Sequence, residues 1–140
     1  METDETIKKG FLRLERYAQN IPGGFHCCAE DPENGYPFAY VSDRFLEILG
    51  WEREEFAARF DNRYTALIHP DDLAAGLRYR NAENSATYAK NGDSIFRILG
   101  KNGYRWVTNA ANQVEWYGKG YIVGTITDIT PYMELREKLE

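Results

Sequence analysis

Between Ser94 and Thr130 the chain falls into three apolar-rich runs separated by turn residues, and three antiparallel strands are predicted: Ile95–Leu99, Tyr104–Val114 and Tyr121–Ile129. Lys101-Asn102-Gly103 makes the first turn, because Asn-Gly tolerates the positive φ that a tight hairpin demands. Gly118-Lys119-Gly120 makes the second. Such a sheet needs a cover on at least one face.

The rest of the chain supplies that cover. Residues 3–20 read as an amphipathic helix, with Ile7, Phe11, Leu14 and Ala18 on one stripe and Asp4 and Glu5 at its positive end. Pro22-Gly23-Gly24 ends it. Phe25–Glu30 and Phe38–Val41 form a hairpin around the turn cluster Asp31–Gly35. Ser42 or Asp43 caps a helix whose Phe45, Leu46 and Leu49 face inward, and Gly50 closes it. Glu52–Phe60 adds a helical turn or two, and Tyr64–Ile68 is a short apolar segment. In His69-Pro70-Asp71-Asp72, proline suits the first helical position and the two acids suit the first turn. Asn81–Gly92 reads as helix, then loop. Thr130-Pro131 opens a last helix, where Tyr132, Leu135 and Leu139 start a coiled-coil spacing. Because that pattern stops at Glu140, more protein is expected downstream. The domain plan is 1–20 N-terminal helix, 21–130 central domain, 131–140 outgoing helix.

Alternation sorts the three strands into two faces. Phe96, Ile98, Trp106, Thr108, Ala110, Ile122, Gly124 and Ile126 form one set. Arg97, Leu99, Arg105, Val107, Asn109, Ala111, Tyr121, Val123, Thr125 and Thr127 form the other. The second set is half apolar and wants a cover, from residues 3–20 of the same chain or of a dimer partner.

Composition narrows the class. A chain of 140 residues is one domain, large enough for its own core. The net charge of −5 argues against a nucleic-acid surface. No apolar run approaches the roughly 20 residues that cross a bilayer, so no membrane insertion is expected. The start Met-Glu-Thr-Asp-Glu is not a secretory signal, and two adjacent cysteines are not a disulfide framework, so the expected setting is cytoplasmic.

Four segments in order carry a family resemblance: Ser42–Trp51 with Glu54-Glu55-Phe56; Ile68-His69-Pro70-Asp71-Asp72; Phe96-Arg97-Ile98 with Lys101-Asn102-Gly103 and Arg105-Trp106-Val107; and Gly124 with Asp128-Ile129-Thr130. Over residues 21–130 the chain resembles a PAS domain. The resemblance implies an α+β fold: a five-stranded antiparallel sheet, order 2-1-5-4-3, with helices on one face around a cavity. It implies a sensory or dimerising module that passes a signal through flanking helices to an output domain. The Pro22-Gly23-Gly24 start is similar to PAS domains of bacterial cyclic-di-GMP enzymes (diguanylate cyclases) and histidine kinases.

The resemblance also turns the first strand set toward the cavity, which makes Tyr40, Phe45, Leu49, Tyr64, Leu77, Phe96, Ile98, Trp106, Thr108, Ile122 and Ile126 the candidate lining. These residues either bind an apolar or aromatic small molecule or simply fill the core. Flavin-binding relatives need a reactive cysteine on the helical side, and residues 42–90 contain none. They also carry amides on the inner sheet face, where Ile98, Thr108 and Ile126 are expected here, and an unpaired flavin edge is costly. Haem-binding relatives use a histidine after the position of His69, and this chain offers only Tyr79. Flavin and haem are therefore not expected, and any other cofactor stays open.

Cys27 and Cys28 point to opposite faces, while His26 and Cys28 share one and give two ligands where zinc wants three or four. His69 reads as a capping residue. Asp128 and Thr130 sit where the sheet hands over to the last helix, the junction that couples sheet to output in the resembling family. Thr130 is expected to cap that helix and Asp128 to take a nearby hydrogen bond or ion pair. A different class remains: a small cone-shaped α+β enzyme, similar to the nuclear-transport-factor fold, in which His69 and Asp71 or Asp72 perform acid–base chemistry in one pocket. A cofactor-bound light, redox or gas sensor is the third reading.

Overall fold

The computed structural model describes residues 22–79 and 94–139, together with Lys9. Of the helix predicted over 3–20, only Lys9 falls among them, and it is helical. The segment 81–92 lies outside the described residues.

Five strands form one antiparallel sheet in the order β2-β1-β5-β4-β3. They are β1 (Gly24–Ala29), β2 (Phe38–Val41), β3 (Ile95–Gly100), β4 (Gly103–Trp116) and β5 (Lys119–Asp128). Among the described residues four short helices lie between β2 and β3: α1 (Asp43–Leu49), α2 (Arg53–Arg59), α3 (Tyr64–Leu67) and α4 (Leu73–Gly76). A fifth, α5 (Thr130–Leu139), leaves β5.

Local chemistry places each helix. Ser42 caps α1, its hydroxyl accepting from the Phe45 amide at 3.2 Å and from the Phe25 amide at 3.0 Å, which ties the helix start to β1. Gly50 at φ 81° ends α1, and the Trp51 amide reaches back to the Leu46 carbonyl. A capping box between Glu52 and Glu55 starts α2. Asp61 and Asn62, both at positive φ, stop it. Gly24 lets α1 lie directly on β1: a Cβ there would come within 2.6 Å of the Phe45 Cα.

The core lies between the inner sheet face and the helices, with Phe45, Leu67, Phe96, Ile98, Val107 and Ile126 fully buried. Aromatic rings of Phe38, Phe45, Phe56 and Tyr64 meet edge-on or tilted at centroid separations of 5.3–6.0 Å. A second cluster sits on the outer face, where Cys27 and Tyr121 are 1% and 7% exposed among Phe25, Tyr40, Trp116 and Val123.

Both sheet edges are occupied. On β3 the Arg97 carbonyl accepts from the His69 amide at 2.9 Å, and the Arg97 amide donates to Asp72 Oδ2 at 2.8 Å. Trp51 Nε1 donates to the Leu99 carbonyl at 3.0 Å. On β2 the Phe38 amide donates to the Asn62 carbonyl at 3.0 Å, and Asn62 Nδ2 donates back to the Phe38 carbonyl at 2.9 Å.

One expectation is overturned across a whole strand. The β3–β4 loop is Lys101-Asn102, with Gly100 opposite Gly103, so only two residues turn rather than three. Gly103 alone takes positive φ, at 121°. A three-residue loop would set Ile98 against Trp106; the actual register sets it against Arg105 and sets Phe96 against Val107. A one-residue slip exchanges the faces of a strand. Val107, Asn109 and Ala111 therefore point to the core, and Trp106, Thr108 and Ala110 point away from it. The β4–β5 turn is also displaced. Trp116 opposes Lys119, and Tyr117 and Gly118, at φ 52° and 76°, make the loop.

Candidate functional site

The inner face carries a buried polar bridge that the alternation argument missed. His26, on β1, and Asn109, on β4, are 1% and 4% exposed. His26 Nε2 and Asn109 Oδ1 are 3.0 Å apart. An amide oxygen only accepts, so the imidazole proton is on Nε2. The bare Nδ1 then faces the Cys28 thiol at 3.9 Å. Burial holds His26 neutral, its pKa lowered to about 4 against a smaller opposing effect of the Asn109 hydrogen bond. The Tyr64 ring stacks on the imidazole at 5.3 Å and 22°.

Strand β5 runs between His26 and Asn109, and the bridge passes over Gly124. His26 pairs with Gly124, which pairs in turn with Ala111. A Cβ on Gly124 would lie 2.7 Å from Asn109 Oδ1 and 2.8 Å from His26 Nε2. The glycine of the closing "G…DIT" segment is thus the residue that leaves room for the bridge.

Beside the bridge is a cavity of about 10 Å³ bounded by His26, Cys28, Tyr64, Leu77, Asn109 and Ile122, space for about one water molecule. Tyr64 donates its hydroxyl to the Gly76 carbonyl at 3.1 Å and so fixes the α4 wall. Glu30 accepts from the Tyr79 hydroxyl at 2.9 Å and from Gln113 Nε2 at 3.3 Å. Tyr79, like Tyr36, also borders the cavity.

The predicted lining divides three ways. Tyr64, Leu77 and Ile122 border the cavity. Phe45, Leu49, Phe96, Ile98 and Ile126 are buried in the core. Tyr40, Trp106 and Thr108 lie on the opposite face: Tyr40 pairs with Cys27 in the outer cluster, Trp106 with Arg97, and Thr108 with Ile95 and Thr127. The expectation of an inner face without amides fails at β4, where Asn109 occupies the position assigned to Thr108.

His26 and Cys28 share the inner face, and Cys27 lies on the outer one, as alternation requires. Burial raises both thiols, Cys27 to about 12 and Cys28 well above its ordinary value. Among the described residues no group of three or more His, Cys, Asp and Glu has the arrangement of a metal site. His69 caps the turn at Pro70, its Nδ1 accepting from the Asp71 amide at 3.1 Å, and its ring rests on Tyr104 at 4.7 Å. Asp72 is held by Arg97 through Nε at 2.8 Å and Nη2 at 2.9 Å, and its pKa is lowered chiefly by that bond. Neither residue borders the cavity, so the acid–base arrangement that the enzyme reading needs is not formed.

At the sheet exit Asp128 takes the expected ion pair, with Arg105, and it also takes the capping role expected of Thr130. Asp128 Oδ1 accepts from the Thr130 amide at 2.9 Å and so caps α5, while Oδ2 takes Arg105 at 2.8 Å. Thr130 Oγ1 accepts from the Trp106 amide at 2.9 Å, and its hydroxyl hydrogen points at the Trp106 carbonyl at 3.4 Å. The Ile129 amide also reaches that carbonyl, at 2.8 Å.

A family model described as PAS fold matches residues 38–126, from β2 into β5. The chain belongs to the PAS family. Solved structures agree on the fold. A sensory box histidine kinase/response regulator from Burkholderia thailandensis has 22% identity and a TM-score of 0.57, covering 91% of this chain and 92% of that one. A PAS domain from a two-component sensor histidine kinase has 14% identity and a TM-score of 0.56, covering 86% and 97%. An RNA-binding light-oxygen-voltage receptor has 18% identity and a TM-score of 0.60, covering 90% of this chain and 35% of that one. At these identities the likeness is one of fold. No curated protein matches the chain in sequence. PAS domains are in general sensory rather than catalytic modules. No helix among the described residues is long and apolar enough to cross a membrane.

Proposed function

We propose that this PAS domain is a non-catalytic sensory and dimerisation module of a larger cytoplasmic signalling protein, with a histidine kinase or a cyclic-di-GMP enzyme as its output. The observation that carries this reading is the sheet-to-helix junction. Strand β5 ends in a carboxylate that caps α5, and the first residue of α5 is bonded to β4. A change in the sheet therefore reaches an outgoing helix whose Tyr132, Leu135 and Leu139 are exposed at 62%, 56% and 79% along one stripe.

In this reading the small cavity bounded by Tyr64, Leu77 and Ile122 widens to admit a small molecule beside the His26–Asn109 bridge. The buried residues Phe45, Leu49, Phe96, Ile98 and Ile126 form the floor beneath it. Asp128 and Thr130 carry the response outward. The homodimer forms through residues 1–20, the outer sheet face and α5.

Sedimentation equilibrium on residues 1–140, on a form lacking 1–20 and on the double variant Leu135→Glu/Leu139→Glu tests the assembly, with circular dichroism confirming that each is folded. A dimer for the whole chain that weakens in both altered forms is expected. A monomer in every case at 100 μM refutes the dimeric part. Native mass spectrometry of the purified chain tests the ligand part, which predicts an added mass that is lost on denaturation.

A further inference from the structure

We infer that a side-chain stack, Asp72–Arg97–Trp106, couples the α4 wall of the cavity to the first turn of α5. This gives the sensory reading a route and rests on that reading for its use. The coupling itself is a property of the ligand-free chain.

The route starts immediately before α4. Asp72 precedes Leu73–Gly76, and Gly76 and Leu77 border the cavity. The α4 turn is anchored from two sides. Tyr64 holds the Gly76 carbonyl, and Gly76 packs so closely on Ile68 that a Cβ would meet its Cδ1 at 2.7 Å. From there the Asp72 carboxylate wraps the β3 edge. It accepts from the Arg97 amide, from Nε and from Nη2, all at 2.8–2.9 Å. Three bonds from one residue fix the guanidinium plane as well as its position.

That plane lies 5.1 Å from the centroid of the Trp106 ring. The backbone does not make this link. The Arg97 amide is spent on Asp72, and the Trp106 amide is spent on Thr130. Arg97 and Trp106 are therefore a non-hydrogen-bonded pair, the kind that brings facing side chains closest. Trp106 then holds α5 by both its backbone groups, through Thr130 Oγ1 and the Ile129 amide. No hydrogen bond or ion pair among the described residues joins Asp72 to Thr130 directly. A displacement of α4 that turns Asp72 thus acts on α5 through the stack.

Two measurements on the ligand-free chain test this. Amide exchange followed by NMR compares wild type with Arg97→Lys, which keeps the charge and loses the planar fork. Exchange at Ile129 and Met133 is expected to quicken at least about threefold relative to that at Phe25 and Cys27 in β1. Trp106→Leu serves if Arg97→Lys fails to fold, with the same expectation. A double-mutant cycle of Asp72→Asn with Thr130→Val reads the unfolding constant in urea. The double variant should depart from the product of the singles by at least about threefold. Unchanged exchange in α5, equal acceleration in α5 and β1, or a cycle that closes within about twofold overturns the inference. Because no ligand or dimer enters either measurement, such a failure is separate from a failure of the sensory reading.

Discussion

Replacing Gly124 with alanine adds one methyl group at the crossing of the polar bridge. The methyl carbon would sit 2.7 Å from Asn109 Oδ1 and 2.8 Å from His26 Nε2, distances at which the hydrogen bond between them cannot survive. Losing a bond between two buried groups costs about 1–3 kcal/mol. Forcing an extra carbon into a packed core costs about 1–3 kcal/mol. Restricting the unfolded chain returns about 0.4–1 kcal/mol. The net loss is roughly 1–6 kcal/mol, against a stability of about 5–15 kcal/mol usual for a domain. Urea unfolding should show it as a fall in midpoint at constant slope. In an Asn109→Ala background the bond is already absent and the imidazole is free to tilt, so Gly124→Ala should cost less than about 1.5 kcal/mol there. A loss below about 0.5 kcal/mol in the wild-type chain, or the same loss in both backgrounds, refutes the role given to the glycine.

The bridge also makes stability depend on acid. His26 binds its second proton at a pKa near 4 in the folded chain and near the ordinary 6.5 when unfolded, so its contribution is complete above pH 6.5 and is lost as pH falls toward 4. The whole loss is about 3 kcal/mol. The lowered carboxyls of Asp72 and Asp128 release theirs only below their ordinary 3.8. Urea midpoints from pH 7.5 to 4.5 check this, and a His26→Gln variant should flatten the curve; a His26 ring titrating near 6.5 in the native protein contradicts it. Both thiols should resist maleimide at pH 8 in the native chain and react fully in urea, given their burial; rapid native labelling refutes that. Asp128→Ala removes the α5 cap and should cost about 1–2 kcal/mol with faster amide exchange confined to Thr130–Met133. Gly24→Ala drives a methyl into the Phe45 backbone and should cost about 1–3 kcal/mol by urea unfolding, leaving the His26 titration in place.

The strands and helices were legible because their boundaries rest on local chemistry. Ser42, Gly50, Pro70 and Asp61-Asn62 each act on a neighbour within four residues. The sheet order matches what the family resemblance implies, and the opposed faces of Cys27 and Cys28 follow from the period of a strand. What was not legible depends on register. In Arg105-Trp106-Val107 and Ala110-Ala111 apolar residues stand on both faces, so β4 carries no clean alternation. Alternation and the family resemblance put Trp106 on the inner face, whereas it stacks on Arg97 outside. A loop one residue shorter than its sequence suggests decided the matter, and with it the place of Asn109. The His26–Asn109 bridge joins residues 83 apart, and nothing local to either announces it. The one available hint was Gly124, a strand glycine, which often marks a close approach.

The occupied margins of the sheet have a consequence for how this domain meets others. A sixth strand cannot be laid alongside β3 or β2 without first evicting His69, Asp72, Trp51 or Asn62 from backbone groups they already satisfy. Peptide capture by strand addition and runaway fibril growth are closed off together. Copies of this fold are left to stack broadside or to twine their tails, and either mode permits small rotations that a zipped ladder would forbid.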